Sequence, residues 1–578
     1  MASIENATEA TAAGQGGGVD GEDRISGLCD DLIVHILGLA GCDVVWLVRT
    51  GVISRRWRGL WTRVPVLFFD NWPALESAGD VGLYVAFVNG VLAQRAQSAA
   101  GIDCLWIPLF MDTDSLQDHQ ELVPPSMEAA EAWIRYAVQK QVKDFKFKLR
   151  LPSTVKDFNF KFCLPPPPSD GDYDSKVDEE EDKQEEDEDL EEQEDGDEDE
   201  DEEEEEPLMD LDELPSSTKL EALHLWLSAR VRLPSAAVFT SLENLALEFV
   251  QLAPGSTGHL ARIVSSACCP RLRHLRMMYV SFKRAETKEL VIDAGELLEL
   301  SLDSLTGLES LELRTPKLLD LEIESCDELR AFTFSAPALE KLTFYYNRSP
   351  VAIHGDGLPC VWFLRINLVT HLYHHSDIND SPIALLQRCS SSARSLLVHL
   401  DVPLEIERQV DLIKDKMPQL PNVTHLAVNL HPIVERHSFG DGVAGLLTRF
   451  SNLEYLSLQL DEVPGCIKRD GYYSSRDADV ESAFICKHAD NWASTEISLA
   501  NLREAEFTGL TGTGCECRFL RFVIASATDL QIVTVRFSVN EYNLEGRKDG
   551  FLSRLIGDGT WTTNGEGPHQ WYEWRPCP

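Results

Sequence analysis

The chain lacks the short signatures by which most catalysts are recognised. It contains no G-x-S-x-G, no Walker loop and no H-E-x-x-H. The glycine-bearing stretch FTGLTGTGCECR does not follow the strand–G-x-G-x-x-G–helix order that cradles a dinucleotide. No C-x-x-C occurs among the 14 cysteines; the closest groupings are Cys268–Cys269 and Cys515–Cys517. Scattered cysteines of this kind read as buried reduced thiols rather than a disulfide framework or a zinc site. His371, His374 and His375 form the one histidine cluster and, without nearby cysteines or paired carboxylates, read as a surface loop. No enzyme, cofactor or metal is therefore expected.

Long apolar runs are also missing. The opening segment is polar and rich in small residues, unlike a secretory leader. The most apolar early stretch, LIVHILGLAGCDVVWLV, is interrupted by His35 and Asp43 and is too short to span a bilayer. A soluble protein of the cytoplasm or nucleus is the expectation. Positive charge is scarce as well: 52 Lys and Arg face 96 Asp and Glu, a formal net charge of −44. Residues 170–206 hold 27 of those carboxylates against Lys176 and Lys183, leaving about −19 for the rest. Such dense like charge cannot bury enough apolar surface to offset ordering entropy and reads as a disordered insertion. The sharper alternative is an acidic arm that binds histones or other basic proteins.

Against that acidity, residues 52–61 read VISRRWRGLW. A nucleic-acid contact, a membrane-surface helix and a short helix burying one face are the three readings. Net charge opposes the first and the short apolar face opposes the second, so neither nucleic acid nor membrane is expected as a partner. From Asp23 to Asp70, the pattern predicts three short helices. The first carries Leu28, Leu32, Ile36 and Leu39 at helical spacing with Asp30 and Asp31 at its start. The second is capped by Asp43, and the third has Ile53, Trp57, Leu60, Trp61 and Val64 on one face and is ended by Pro65. Arg55, Arg56 and Arg58 are expected at its rim.

After residue 70 the pattern changes. VKDFKFKL (142–149) recurs as VKDFNFKF (155–162), both alternating like strands. LEALHLWL, LENLALEF and LRHLRMMY, from Leu220, Leu242 and Leu272, each fit L-x-x-L-x-L. From Leu297 to Leu339 five such segments begin at intervals of 11, 10, 11 and 10 residues. That is half of a repeat of about twenty-one, which predicts strands on both sides of each coil and little room for helices. VTHLAV, LEYLSL, LREAEF and LQIVTV continue the series to about residue 540. Outward-pointing residues, among them Trp226, Glu248, Arg276, Glu312, Glu322 and Tyr345, are where a binding surface would lie.

DRISGLCDDLIVHILGLAG and TGVISRRWRGLWTRVPVLFFD together resemble the plant F-box motif over about fifty residues, with Cys29 where the family has proline and Gly51 where it has serine. The segment NLREAEFTGLTGTGCECRFLRFVIASATDLQIVTVRFSV is similar to the FBD region of such proteins through Leu502, Phe507, Gly509, Gly512, Ala527 and Leu530. The resemblance implies a non-catalytic substrate receptor of an SCF-type ubiquitin ligase, docking on a Skp1-type adaptor and through it on a cullin and a RING protein, with a protein substrate on the repeats. It carries Leu28, Cys29, Leu32, Ile36, Val52, Trp57 and Trp61 over as Skp1-binding positions. The expected architecture is an α+β or α/β solenoid, a three-helix F-box followed by an irregular leucine-rich-repeat solenoid. Its divisions are a disordered 1–21, an F-box over 22–70 and first repeats over 71–164. An acidic insertion over 165–213, a solenoid over 214–540 with an FBD-like end from about 499, and a tail over 541–578 complete it.

Overall fold

A computed structural model describes residues 27–40, 43–70, 74–113, 115–116, 119–152, 208–347, 349–355, 357–369, 378–401, 416–431, 439–460, 491–512, 514–538, 548–566 and 570–577. The second VKDF segment, the acidic run and the histidine cluster lie outside these residues.

The chain opens with helices α1 (Asp30–Ala40) and α2 (Val44–Thr50) and a 3-10 helix, Trp57–Arg63. Asp43 caps α2, its carboxylate accepting from the Val45 amide at 2.9 Å. Val64, which precedes Pro65, is extended as such a residue must be, and there the helix stops. The third helix was expected to be α-helical with Ile53 on its inner face. It is instead 3-10, and Ile53 lies in the preceding turn at 66% exposure. With three residues per turn, Leu60, Trp61 and Val64 still close the core.

Strands β1 (Val66–Phe68), β2 (Cys104–Phe110) and β3 (Asp144–Arg150) pair in parallel, joined through α3 (Ala78–Ala96) and α4 (Val123–Gln139). β4 (Leu208–Asp210), β5 (Ala222–Arg232), β6 (Asn244–Leu252), α5 (Ser256–Ile263) and β7 (His274–Ser281) come after them. β4 pairs with β5, so the segment expected to be an insertion up to 213 already belongs to the sheet from Leu208, with Leu211 and Leu214 buried.

Seven short strands come next: β8 (Glu289–Asp293), β9 (Glu299–Asp303), β10 (Ser310–Arg314), β11 (Asp320–Glu324), β12 (Ala331–Ser335), β13 (Lys341–Tyr345) and β14 (Ala352–Gly355). They sort into two sheets alternately. Glu299, Asp320 and Lys341 are in register on one, and Glu289, Ser310, Ala331 and Ala352 on the other. Each step is one coil of twenty-one residues, as the half-repeat spacing predicts, and no helix is found among the described residues from β8 to β14.

Where the repeats lengthen again, helices back the strands. β15 (Phe363–Val369), α6 (Asp380–Cys389), β16 (Ser395–Asp401), β17 (His425–His431), β18 (Tyr455–Leu460), β19 (Glu504–Leu510) and β20 (Ile532–Phe537) continue the long sheet, with further helices at Phe439–Leu447 and Gly514–Ala525. The stretch expected to be a C-terminal tail supplies a helix, Lys548–Leu555, and a hairpin, β21 (Gly559–Asn564) and β22 (Trp571–Pro576). β22 pairs antiparallel with β20, so this segment completes the sheet.

Among the described residues the long sheet has 18 strands and the second has four. The fold is thus α/β with a long, mostly parallel, open sheet, compatible with a solenoid. Its core is one ladder: Leu105, Phe145, Leu223, Leu245, Leu275, Leu300, Leu321, Leu342, Leu364, Leu396, Leu426 and Leu456 occupy a single register row and are all buried. In the repeats these are the second leucines of the motif. Alternation sends the intervening residues to the other face. Cys268, Cys269 and Cys517 are buried and unbridged, as the sequence predicts.

Two Gly positions in the FBD-like segment have a backbone reason. Gly509 and Gly512 hold φ of +75° and +79°. A Cβ on Gly509 would also sit 1.9 Å from the Leu460 carbonyl oxygen.

Candidate functional site

The helical segment has an inside and an outside that the apolar spacing alone does not distinguish. Ile33 and Leu37 of α1 are buried with Val44, Leu47, Leu60, Trp61 and Val64. The stripe picked out by helical spacing, Leu32, Ile36 and Leu39, is the other one, 42%, 41% and 74% exposed. Val52 is 87% exposed in the turn after α2, where backbone bonds from Val52 to Arg49 and from Ile53 to Thr50 hold the turn. Of the expected Skp1-binding positions, Leu32, Ile36, Val52 and Cys29 are exposed, Leu28 and Trp57 are half-buried against the core, and Trp61 is fully inside. Trp61 can serve a partner only by holding this surface in place.

The arginines of 52–61 divide in role. Arg56 bonds Asp30 at 2.8 Å and the Leu28 carbonyl, while beyond that stretch Arg63 pairs with Asp31. Arg55 and Arg58 stay exposed. The Arg56 bonds draw the turn that carries Val52 toward the start of α1. Cys29 sits at the helix boundary, its carbonyl accepting from Ile33 at 3.1 Å. Gly51 lets the backbone pass close to Arg58, since a Cβ there would lie 3.3 Å from the Arg58 Cα and 3.1 Å from the Val48 oxygen. Arg95 of α3 ties the end of the helical segment to the loop before β2. Its buried guanidinium donates to the carbonyls of Val64, Ala100 and Gly101.

The second surface is the face of the long sheet opposite the leucine ladder. A groove of about 760 Å³ runs across β3, β5–β7, β9, β11, β13 and β15, lined among others by Lys146, His224, Arg276, Glu299, Asp320, Glu322 and Lys341. None of the groove's lining residues belongs to a series of half-buried aromatic rings that meet on four strands of the same sheet: Phe110 to Trp226 at 5.9 Å between centroids, Trp226 to Phe249 at 4.7 Å and Phe249 to Tyr279 at 4.6 Å. Phe249 and Tyr279 have φ of 56° and 53°, a conformation uncommon for bulky residues, and Ser304, Ser325 and Tyr346 repeat it on the next coils of this sheet.

The six residues expected to point outward separate here. Trp226, Arg276 and Glu322 line the open face of the long sheet. Glu312 belongs to the second sheet, a separation that sequence spacing of 10 and 11 did not assign. Glu248 and Tyr345 face outward in register but are buried by neighbours. The Glu248 carboxylate lies 3.1 Å from His224 and 3.9 Å from Arg276. Burial raises its pKa, but the contact with His224 and the nearby Arg276 and Lys148 charges outweigh burial and hold the carboxyl below its usual range. Tyr345 lies under the Arg365 guanidinium at 4.3 Å and against His399, and burial pushes its hydroxyl up.

β9 and β11 place Asp303, Glu322 and Glu324 side by side. Ser304 donates to Asp303 and Ser301 to Glu322, but among the described residues no cation lies within ion-pair distance of the three. Burial, then the neighbouring Asp303 and Glu322 charges, raise the Glu324 pKa; burial and Glu322 raise that of Asp303. Sequence reasoning named only Glu322, because this grouping requires the register.

No group of three or more His, Cys, Asp or Glu among the described residues is placed to hold a metal ion. No described helix is long and apolar enough to cross a membrane.

Comparison with known proteins finds relatives in Arabidopsis thaliana. An FBD-associated F-box protein of Arabidopsis thaliana is 32% identical over 123 residues, 21% of this chain and 26% of the relative. An F-box/LRR-repeat protein of the same plant is 33% identical over 128 residues, 21% of this chain and 26% of the relative. The chain resembles plant F-box/leucine-rich-repeat proteins of the FBD type. An Arabidopsis F-box/FBD/LRR-repeat protein, 30% identical over 137 residues, covers 24% of the chain and 28% of itself. The chain thus spans about a quarter of the length of these curated relatives. No family model matches it.

Proposed function

We propose that the chain is the non-catalytic substrate-recognition subunit of an SCF-type ubiquitin ligase. In this reading the helical segment is a three-helix F-box that docks on a Skp1-type adaptor, which links it to a cullin and a RING protein. The leucine-rich repeats hold a protein substrate on their open sheet face. The observation that carries the reading is the exposed apolar stripe of Leu32, Ile36 and Leu39 with Val52 and Ile53, on helices whose opposite face is already filled. Exposed apolar surface of this kind marks an interaction site. Leu32, Ile36 and Val52 of this surface are among the positions that the F-box resemblance implies for adaptor contacts.

The chain would make or break no bond. Its contribution is proximity, holding a substrate lysine where the E2 thioester can be attacked. Trp61, and Arg56 and Arg63 with their carboxylate partners, position the docking stripe, while Arg95 fixes its direction relative to the groove. The work would take place in the cytoplasm or nucleus, where the unbridged cysteines stay reduced.

The test is capture of purified Skp1 by the full chain and by Val52→Asp and Ile36→Asp variants. Retention of Skp1 by the wild-type chain and loss by both variants is expected. Failure of the wild-type chain to bind Skp1 would overturn the reading.

A further inference from the structure

We propose that the rim formed by the residues just before strands β7, β9, β11, β13, β15 and β16 docks an amphipathic helix of a partner protein, one that carries apolar side chains between two acidic ones. This rim differs from the two surfaces of the ligase reading, and the inference does not depend on that reading.

The residues that precede these strands form a row along the solenoid. The amides of Leu298, Leu319, Glu340, Trp362 and Arg394 donate in turn to the carbonyls of Arg273, Leu298, Leu319, Glu340 and Trp362, at 2.8 to 3.0 Å. Beyond both ends the same row is polar, with Lys143, Glu221 and Glu243 before it and Thr424, Glu454 and Arg503 after it. The place in the coil therefore does not itself require an apolar side chain. Leu319 and Trp362 are nonetheless 38% and 41% exposed there, and Leu298 beside them is half-buried. Large apolar side chains set out in line on a polar rim mark an interaction site.

Charge complementarity sets the sign of the occupant's ends. Arg273 and Arg394 bound the apolar part of the row. Both are exposed, and among the described residues neither side chain has a hydrogen bond or ion pair. Charges on the adjoining residues are already matched: Lys317 with Glu296 at 2.7 Å, Glu299 with His274 at 2.9 Å and Asp320 with Lys341 at 3.6 Å. Glu340, exposed between Leu319 and Trp362, also has no ion pair among the described residues. A complementary surface thus reads acid, apolar, apolar, cation, apolar, acid.

Spacing sets its conformation. Five steps between neighbouring strands of about 4.8 Å each make a row of about 24 Å. A helix returns a side chain to one face every turn, so five turns span about 27 Å. A strand repeats a face every second residue, and five such repeats span about 33 Å. The helix stays in step with the row to within the reach of an arginine or glutamate side chain, and the strand does not.

The test is fluorescence anisotropy of the full chain with fluorescein-labelled helical peptides of about nineteen residues on an alanine and glutamine background. The matched peptide presents, one per turn on one face, glutamate, leucine, leucine, lysine, leucine and glutamate. The swapped peptide has lysine in place of both glutamates. The matched peptide should bind, and the swapped one should bind about tenfold more weakly, the scale of two favourable exposed ion pairs lost. R273E/R394E should reverse that preference without a change in melting temperature, since both side chains are exposed and the backbone bonds remain. L319S/W362S should abolish binding of either peptide. No binding of the matched peptide, or a preference that R273E/R394E leaves unchanged, would overturn the proposal. So would self-association of the wild-type chain in sedimentation that L319S/W362S removes, because the rim would then belong to a second copy.

Discussion

On the helical segment, Leu39 and Val52 stand in water while Ile33 and Leu37, one face away, are buried. On the sheet face, Asp303 and Glu324 are half-buried and lack a cation among the described residues, while the leucine ladder behind them is complete. One surface exposes apolar area and the other partly desolvates charge. Both are unfavourable in the free chain, for different physical reasons: water ordered around apolar area on the helices, and partly desolvated charge on the sheet face.

The largest effect should come from removing what supports the first surface. Trp61→Ala should destabilise the helical segment by about 3–5 kcal/mol, the cost of truncating a buried tryptophan. It should also abolish Skp1 capture, because the exposed stripe loses the core that holds it. Thermal unfolding and Skp1 capture on one preparation check it; an unchanged melting curve would mean that Trp61 is not core.

Next come the exposed residues themselves. Val52→Asp or Ile36→Asp should weaken Skp1 binding by about 10–100-fold, equivalent to about 1.4–2.8 kcal/mol. The melting temperature should stay unchanged, because neither side chain belongs to the buried cluster. A fall in stability of the size expected for Trp61→Ala would erase the distinction between the two faces of α1.

Cys29→Pro should act more gently. Cys29 lies at the start of α1, and proline there restricts the unfolded chain, adding about 0.4–1 kcal/mol if the backbone φ is compatible. Skp1 affinity and thermal unfolding are the readouts. Lower stability would show that this turn differs from the one the F-box resemblance implies.

The smallest effect belongs to the carboxylates of the sheet face. The pKa values of Asp303 and Glu324 are raised in the folded state, chiefly by burial. Their contribution is therefore most favourable below the ordinary carboxylate range and is lost as pH rises through the raised values. Asp303→Asn with Glu324→Gln should stabilise the chain at neutral pH by about 0.5 kcal/mol, and the gain should vanish in mild acid. Chemical unfolding at neutral and acidic pH measures it, and a gain that persists in acid would assign the effect to packing.

Much of the repeat region is legible because a buried strand leaves a local mark. Leu297, Leu308, Leu318, Leu329 and Leu339 announce their strands two residues ahead, and their spacing predicts two alternating sheets. The hairpin over 559–576 left no such mark, since its residues alternate weakly and its partner, β20, lies far back in sequence. The Arg56–Asp30 and Arg63–Asp31 bonds join residues 26 and 32 positions apart, beyond any local pattern. The ring series is similarly non-local: Phe110, Trp226, Phe249 and Tyr279 meet only because parallel register stacks their strands.

The sequence by itself determined the ladder, because alternation along a strand and the repeat of leucine every coil come from backbone geometry. It also determined that α1 is apolar on more than one side, through Leu32 and Ile36 as well as Ile33 and Leu37. Which of those sides meets water was decided by the tertiary structure alone: the 3-10 helix packs on α1, Ile33 and Leu37 are buried, and Leu39 is left 74% exposed. The same holds on the sheet face, where strand register set Asp303, Glu322 and Glu324 beside one another. Periodicity fixes the faces of an element, and contacts between distant elements fix which face is left for a partner.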